Sequence, residues 1–426
     1  MSTTVPVGST PLAPALDQGP TSTVAPLPPK RERLVSLDVF RGLTIAGMLL
    51  VNNPGTWSAI YPPLEHAEWN GWTPTDLIFP FFLFIVGITT HLSFSARRAR
   101  GADESALLHQ VLRRGSLIFL IGFLLNVFPF VPYVGAHYIF PPSGWGDALA
   151  NPGERLLHWF RIMGVLQRIG LVYLITGVIA LKTTRRTQVV LAAVILLGYW
   201  ALMTIVPVPG TGQLGYALLD KPAMTLAAWT DRLVLGTHTW VNSKTWDPEG
   251  TLSTLGAIGT CLLGLFAGRW INSPRPLLER ISGLFAAGSI AMVVGLVWNW
   301  VFPINKSIWT SSYVVFTAGM ACVTIATCMW LIDYRRIGGW SHPFIVFGVN
   351  PMAAFVGEGI LSRLIYTVIQ VNYRGQQVPV ESAIYQSAFA SWLTPRNASL
   401  GFAICYVLLF YALLYLLYRK RIFVKI

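Results

Sequence analysis

Charge is what this sequence has least of. Of its 426 residues only 12% are Asp, Glu, Lys or Arg, while 54% are apolar. Soluble domains carry about 25% charged residues, so half that load argues against an ordinary soluble globule. Cysteine is scarce too. Cys261, Cys322, Cys328 and Cys405 all fall inside apolar runs and form no CxxC pair, which argues against a disulfide framework or a thiolate zinc site. Signatures of zinc proteases, serine hydrolases and phosphate-binding loops are missing, with no HExxH, GxSxG or Walker loop. Any chemistry therefore has to come from histidine, carboxylates and amides, without a metal.

The first 29 residues contain no Lys or Arg and are rich in Pro, Ser, Thr and Ala. Lacking a basic start and a continuous apolar core, they do not make a secretory signal. Residues 1–32 read as a disordered tail.

Beyond the tail, runs of about 20 apolar residues, enough to cross the hydrocarbon of a bilayer, follow one another. They lie at about 36–54, 76–95, 109–131, 162–181, 188–206, 252–271, 281–302, 312–333, 344–365 and 399–418. In lipid each must be a helix, because its backbone groups find no partner outside the segment. The expected fold is all-α: a polytopic membrane helix bundle of about 10 transmembrane helices, with both termini on one side. Of the 31 Lys and Arg residues, 20 lie in terminal-side loops and 9 in the opposite loops, with Arg41 and Arg168 inside runs. Basic loops stay inside, so both termini are expected in the cytoplasm. The net charge of +13 is then a topology signal, and nucleic acid is not an expected partner. Three connections on the outer face, 132–161, 207–251 and 366–398, exceed usual helix-to-helix lengths, which points to function.

A charge near a bilayer centre costs about 2.5–3.5 kcal/mol on insertion scales, so polar residues in or beside these runs are candidates for a site. Residues 62–80, PPLEHAEWNGWTPTDLIFP, gather Glu65, His66, Glu68, Asn70 and Asp76 with Trp69 and Trp72 at the outer mouth of the second run. Asn52 and Asn53 end the first run at the same level. Arg161, Gln167 and Arg168 stand in RIMGVLQRIG, with Arg168 about 10 Å below the outer surface at 1.5 Å per residue. Asp247 and Glu249 precede the sixth run, and Asn305 and Lys306 sit in an outer loop. At the cytoplasmic end are Asp38 and Arg41 in SLDVFRG, with Asn350 and, two turns deeper, Glu358 in the ninth run. Each has a plainer alternative as ion pair, helix cap, kink partner or aromatic belt, and the residue types alone leave that choice open.

HAEWNGWTPTDLIFPFFLFIVG at 66–87 resembles the signature of the heparan-α-glucosaminide N-acetyltransferase family, in a bacterial-type form. SLDVFRG at 36–42, RIMGVLQRIG at 161–170, WDPEGTLST at 246–254, PINKSIWTSSYV at 303–314 and FGVNP at 347–351 follow in the family's order. The resemblance covers about residues 33–360 and implies a transmembrane acyltransferase domain over 33–426. The activity it implies is acetyl transfer from cytosolic acetyl-CoA to an amino sugar or other glycan on the outer face of a bacterial inner membrane. His66 and Asn52 take the family's catalytic positions. The chain differs from the animal enzyme in showing only the tail ahead of its first run, and in a longer, proline-bearing 52–66 loop.

Under that reading Trp69, Asn70, Asp76, Glu68, Asp247, Glu249, Asn305 and Lys306 are candidates to bind the acceptor or to orient the imidazole. Asp38, Arg41, Arg161, Gln167, Arg168, Asn350 and Glu358 are candidates to carry acetyl-CoA. His66 serves either as general base or as nucleophile. Membrane lipid is an expected partner and a homodimer is allowed. The alternative class is a secondary transporter of amino sugars. Embedded polar groups suit it, but no repeat of broken helices shows in corresponding halves.

Overall fold

Every one of the ten apolar runs is helical where the computed structural model describes the chain: Met1 and residues 34–128, 133–134, 137–138, 160–240 and 242–424. The expected tail, apart from Met1, and most of the 132–161 connection lie outside the described residues. The spanning helices are α1 (Val35–Asn52), α2 (Ile78–Arg98), α3 (Glu104–Val127), α4 (Val165–Lys182) and α5 (Arg185–Ile205). After the short α6 (Leu226–Leu235) come α7 (Thr254–Ile271), α8 (Leu277–Trp298) and α9 (Ser311–Cys328), then α10 (His342–Val349), α11 (Pro351–Arg363) and α12 (Pro395–Arg419). Among the described residues nine helices are long and apolar enough to cross a membrane, and α10 with α11 forms a bent apolar pair that brings the number to ten if it crosses as one span. The protein is a multi-pass membrane protein with an all-helical core, and Leu34–Ile426 forms one compact unit.

The 344–365 run bends at Asn350, the residue whose plainer alternative in the sequence is a kink partner ahead of a proline. Its two halves meet at 80°. Pro351 brings no N–H and its ring crowds the preceding turn, so Asn350 leaves helical geometry at φ −127°, ψ 51°. Both polar atoms of the Asn350 side chain are then taken by backbone of the C-terminal tail. Nδ2 donates to the Ile422 carbonyl at 2.9 Å, and Oδ1 accepts from the Val424 amide at 2.9 Å.

Lipid offers no hydrophobic drive between helices, so they associate through close backbone approach. A methyl group on Gly87 of α2 would lie 2.1 Å from the Cys261 carbonyl of α7, and one on Gly264 would lie 2.2 Å from the Phe84 carbonyl. Only glycine permits that crossing, which fixes α2 beneath the loop that carries His66.

The long connections have structure of their own. In 207–251, Thr225 caps α6 by accepting from the Ala228 amide at 3.1 Å. In 366–398, strands Gln370–Tyr373 and Gln376–Pro379 form an antiparallel hairpin. The α1–α2 loop, the start of α4, the α6 segment and the turns before α7 and α9 all meet at one end of the bundle.

Candidate active site

The α1–α2 loop is folded around one carboxylate. Pro74 opens a 3₁₀ turn, Pro74–Leu77, and Thr73 with Asp76 closes a capping box over its start. Asp76 Oδ2 accepts from the Thr73 amide and the Ala67 amide, both at 3.0 Å. Its Oδ1 accepts from His66 Nδ1 at 2.6 Å. Since an ionised carboxylate only accepts, Nδ1 is the protonated nitrogen and Nε2 keeps its lone pair. The carboxylate is 1% exposed and the imidazole 48%. Asp76, and not Glu68, holds the histidine; Glu68 is exposed on the same loop.

Lys306 stands over this pair, with Nζ 3.0 Å from His66 Nδ1, 3.1 Å from Nε2 and 3.8 Å from Asp76 Oδ1. Burial holds its amine below the usual lysine range, against the opposing pull of Asp76 and Glu249. The turn that presents it is tied at many points. The Asn305 side chain accepts from the Ile308 amide at 3.1 Å, and Thr310 Oγ1 donates to the Pro303 carbonyl at 2.8 Å. Tyr199 OH donates to the Ile308 carbonyl at 2.5 Å. Trp309 is fully buried at a positive φ of 51°, a strain of about 1–3 kcal/mol that persists only where surroundings dictate it.

The rest of the HAEWNG motif is spent on docking. Trp69 Nε1 donates to the Leu219 carbonyl at 2.7 Å, and its ring meets Trp246 edge-on at 5.3 Å. Asn70 donates to Asp220 at 2.5 Å and accepts from Asn305 Nδ2 at 3.1 Å. These contacts clamp the loop between the α6 segment and the turn before α9.

A second polar cluster adjoins the first. Arg161 Nε donates to Asp247 at 2.8 Å, and its Nη2 bonds both Asp247 and Glu249. Burial pushes the Glu249 carboxyl up, but Arg161, Arg168 and Lys306 outweigh it and hold the group below the usual carboxylate range. Arg168, 0% exposed, donates through Nη2 to the Gly250 carbonyl at 3.0 Å and to Ser253 Oγ at 2.5 Å. Its guanidinium lies 5.1 Å above the Trp309 ring, and its Nη1 and Nε have no partner. Gln167 is buried beside it, with Nε2 unpartnered. Sequence reasoning missed Asp231, a buried carboxylate that accepts from the Asp247 and Thr251 amides at 3.1 and 2.8 Å and so shapes the DPEG turn. No spacing rule links it to that turn.

The remaining candidates lie on other elements. Asn52 is exposed at the end of α1, whereas Asn53 is fully buried and donates to Glu358 of α11 at 3.3 Å. Asp38 and Arg41 pair at 3.3 Å, and Arg41 donates to the Gly348 carbonyl at 2.8 Å. They sit about 16 Å (Arg41) and about 21 Å (Asp38) down α1 from Asn52 at 1.5 Å per residue. Asn350 ties down the C-terminal tail.

Residues 33–225 match the family model for the heparan-alpha-glucosaminide N-acetyltransferase catalytic region. The stretch holds both His66 and Asp76. Over that stretch the chain is similar to this family. It is 28% identical to the heparan-alpha-glucosaminide N-acetyltransferase of Homo sapiens over 456 aligned positions, covering 96% of this chain and 62% of the human protein. The Mus musculus enzyme is also 28% identical, over 92% of this chain and 60% of its own length. The chain thus spans about three fifths of the length of these relatives. The Lys306 turn and the Asp247–Glu249 turn fall beyond the family-model match but inside the bundle end that surrounds His66.

Proposed function

We propose that this protein is a membrane acetyltransferase that moves an acetyl group from cytosolic acetyl-CoA to the amino group of a glucosamine-type sugar or related glycan at the outer face. The observation that carries the reading is the half-exposed imidazole, oriented by a buried Asp76 and met at Nε2 by the amine of Lys306. Both termini are then cytoplasmic, as the basic loops require, and the membrane is a bacterial inner membrane.

Acetyl-CoA is polyanionic and cannot cross lipid, so its thioester arm must reach the His66 rim through the bundle. Arg168 presents two unpartnered donors along that way, with Gln167 beside it. Arg41 and the basic inner loops would meet the phosphates by charge-assisted contacts. In the direct route His66 Nε2 takes a proton from the acceptor ammonium. The freed nitrogen attacks the thioester carbonyl, the C–S bond breaks, and the CoA thiolate takes the proton held by His66, while the second proton shed by the new amide nitrogen passes to water. In the alternative route the same nitrogen first carries the acetyl group, which would show ping-pong kinetics. Asn52 is exposed, so the ammonium of Lys306 is the better placed group to stabilise the tetrahedral oxyanion. Asp76 positions the imidazole in both routes.

Protein reconstituted in vesicles with labelled acetyl-CoA inside and glucosamine outside is expected to deliver label to the external amine, and His66→Ala to abolish delivery. Undiminished acetylation in the variant would remove His66 from the chemistry. Uptake of glucosamine without acetyl-CoA would favour the transporter reading.

A further inference from the structure

In the half of the bundle away from His66, an apolar groove of about 500 Å³ runs between α7 and α8. Phe266 and Trp270 of α7, Gly283, Ala287 and Ala291 of α8, and Cys322 of α9 are among its lining residues. Gly283, Ala287 and Ala291 are four apart and share a helix face. A methyl group on Gly283 would lie 2.3 Å from the Trp270 ring, so glycine is what lets the indole lie against α8. Ala287 is exposed, and the neighbouring Ile290, Val293 and Val294 are large exposed apolar side chains of a spanning helix. The groove therefore opens sideways toward hydrocarbon. The one N–H in its lining, that of Trp270, is already donated to the Arg280 carbonyl at 2.9 Å. A cleft of that kind has nothing to offer water or a polar solute.

Its end is charged. The Arg275 guanidinium stacks 4.9 Å from the Trp270 ring centre, and that of Arg269 lies 5.7 Å from the Phe266 ring centre. Arg280 donates through Nη1 to the Ile271 carbonyl at 2.7 Å, while its Nε is buried without a partner. Against these three arginines the 269–280 segment holds one acid, Glu279, which pairs with Arg275. A methylene takes about the liquid volume of a water, about 30 Å³, so the groove accommodates on the order of 16 of them, one lipid tail.

We propose that the groove holds one acyl chain of an anionic glycerophospholipid, with the phosphate seated among Arg275, Arg280 and the edge of Trp270. Tail burial alone gives no selectivity, because the bilayer is equally apolar. Discrimination rests on the headgroup, where basic pockets between spanning helices favour anionic lipids. Nothing in this site depends on acyl transfer at His66.

The test uses the full chain, detergent-purified and exchanged into nanodiscs of phosphatidylcholine with a minor fraction of phosphatidylglycerol, then released for native mass spectrometry. One phosphatidylglycerol per chain is expected to stay bound, preferred about tenfold over phosphatidylcholine. Arg275→Gln, at an exposed position, is expected to erase the preference while leaving thermal stability in place. Ala287→Trp, also exposed and facing lipid, should fill the groove and expel both lipids. Equal retention of the two lipids by the parent protein would overturn the proposal. So would undiminished retention in Ala287→Trp, or a dimer that dissociates in Ala287→Trp without loss of lipid.

Discussion

Asp76 Oδ1 accepts from His66 Nδ1 at 2.6 Å, and the carboxylate that does so is also the cap of the turn opening α2. Folding and tautomer are thus set by one side chain. Asp76→Asn keeps an oxygen for the backbone amides but allows the amide to donate to Nδ1, which reverses the imidazole tautomer. Acetyl transfer is expected to fall by about 10³-fold or more in kcat, with little change in KM. Steady-state kinetics on the reconstituted variant decides it, and an unchanged kcat would reduce Asp76 to a cap.

Lys306 makes a separate prediction. Its Nζ lies about 3 Å from both imidazole nitrogens, where a charge would meet an oxyanion formed at Nε2. Lys306→Met keeps the apolar stem and removes the charge, so kcat is expected to drop by about 10²-fold. Acetyl-CoA binding, read by isothermal titration, should be unchanged. A loss of acetyl-CoA affinity with normal kcat would move Lys306 from the reaction centre to the donor passage.

Much of this arrangement was legible in the chain. Nine spanning helices among the described residues follow directly from run length, because lipid forbids any other spanning backbone, and the remaining run is the bent pair. The bend at Asn350 was legible as an alternative, because a proline follows it, but its 80° angle was not. The His66 loop stood out because a polar cluster at the mouth of an apolar run is costly without a purpose. Which partner held the imidazole, Asp76 or Glu68, depended on the turn that buries one and exposes the other. Asn52 and Asn53 are adjacent and chemically identical. Only helix rotation decides that Asn53 faces α11 and Asn52 faces outward. Asp231 and Asp247 are 16 residues apart, and their union is a tertiary event that no local pattern announces.

Arg161 answers two buried carboxylates, Asp247 and Glu249. Burial lowers the arginine, yet both acids overcome it and hold the guanidinium above its usual range. Arg161→Leu would leave Asp247 and Glu249 buried without the guanidinium that bonds both, a change that typically costs about 3 kcal/mol or more. A clear fall in melting temperature is expected. Arg161→Lys should recover only part of it, because an ammonium cannot reproduce the fork that spans both acids. Full recovery by lysine would show that charge alone, without geometry, holds the cluster.

Glu381, in the 366–398 connection, supplies the pH-dependent prediction. Burial pushes its carboxyl up to about 7, with only a 3.0 Å bond from Ser382 Oγ pulling the other way. The folded state therefore keeps a proton that the unfolded chain releases near its ordinary value of 4.5. Between those two values the folded form binds more protons, so stability falls as pH rises from about 4.5 to about 7 and levels off above. The sign is opposite to that of a salt-bridged carboxylate, whose contribution grows with pH. Glu381→Gln mimics the protonated group at every pH. Melting temperatures measured across that window should decline for the parent and decline less for the variant, with the two separating most at the alkaline end. Parallel curves would mean that Glu381 is solvated and ionised in the folded protein, and that the connection is packed more loosely around it than its burial implies.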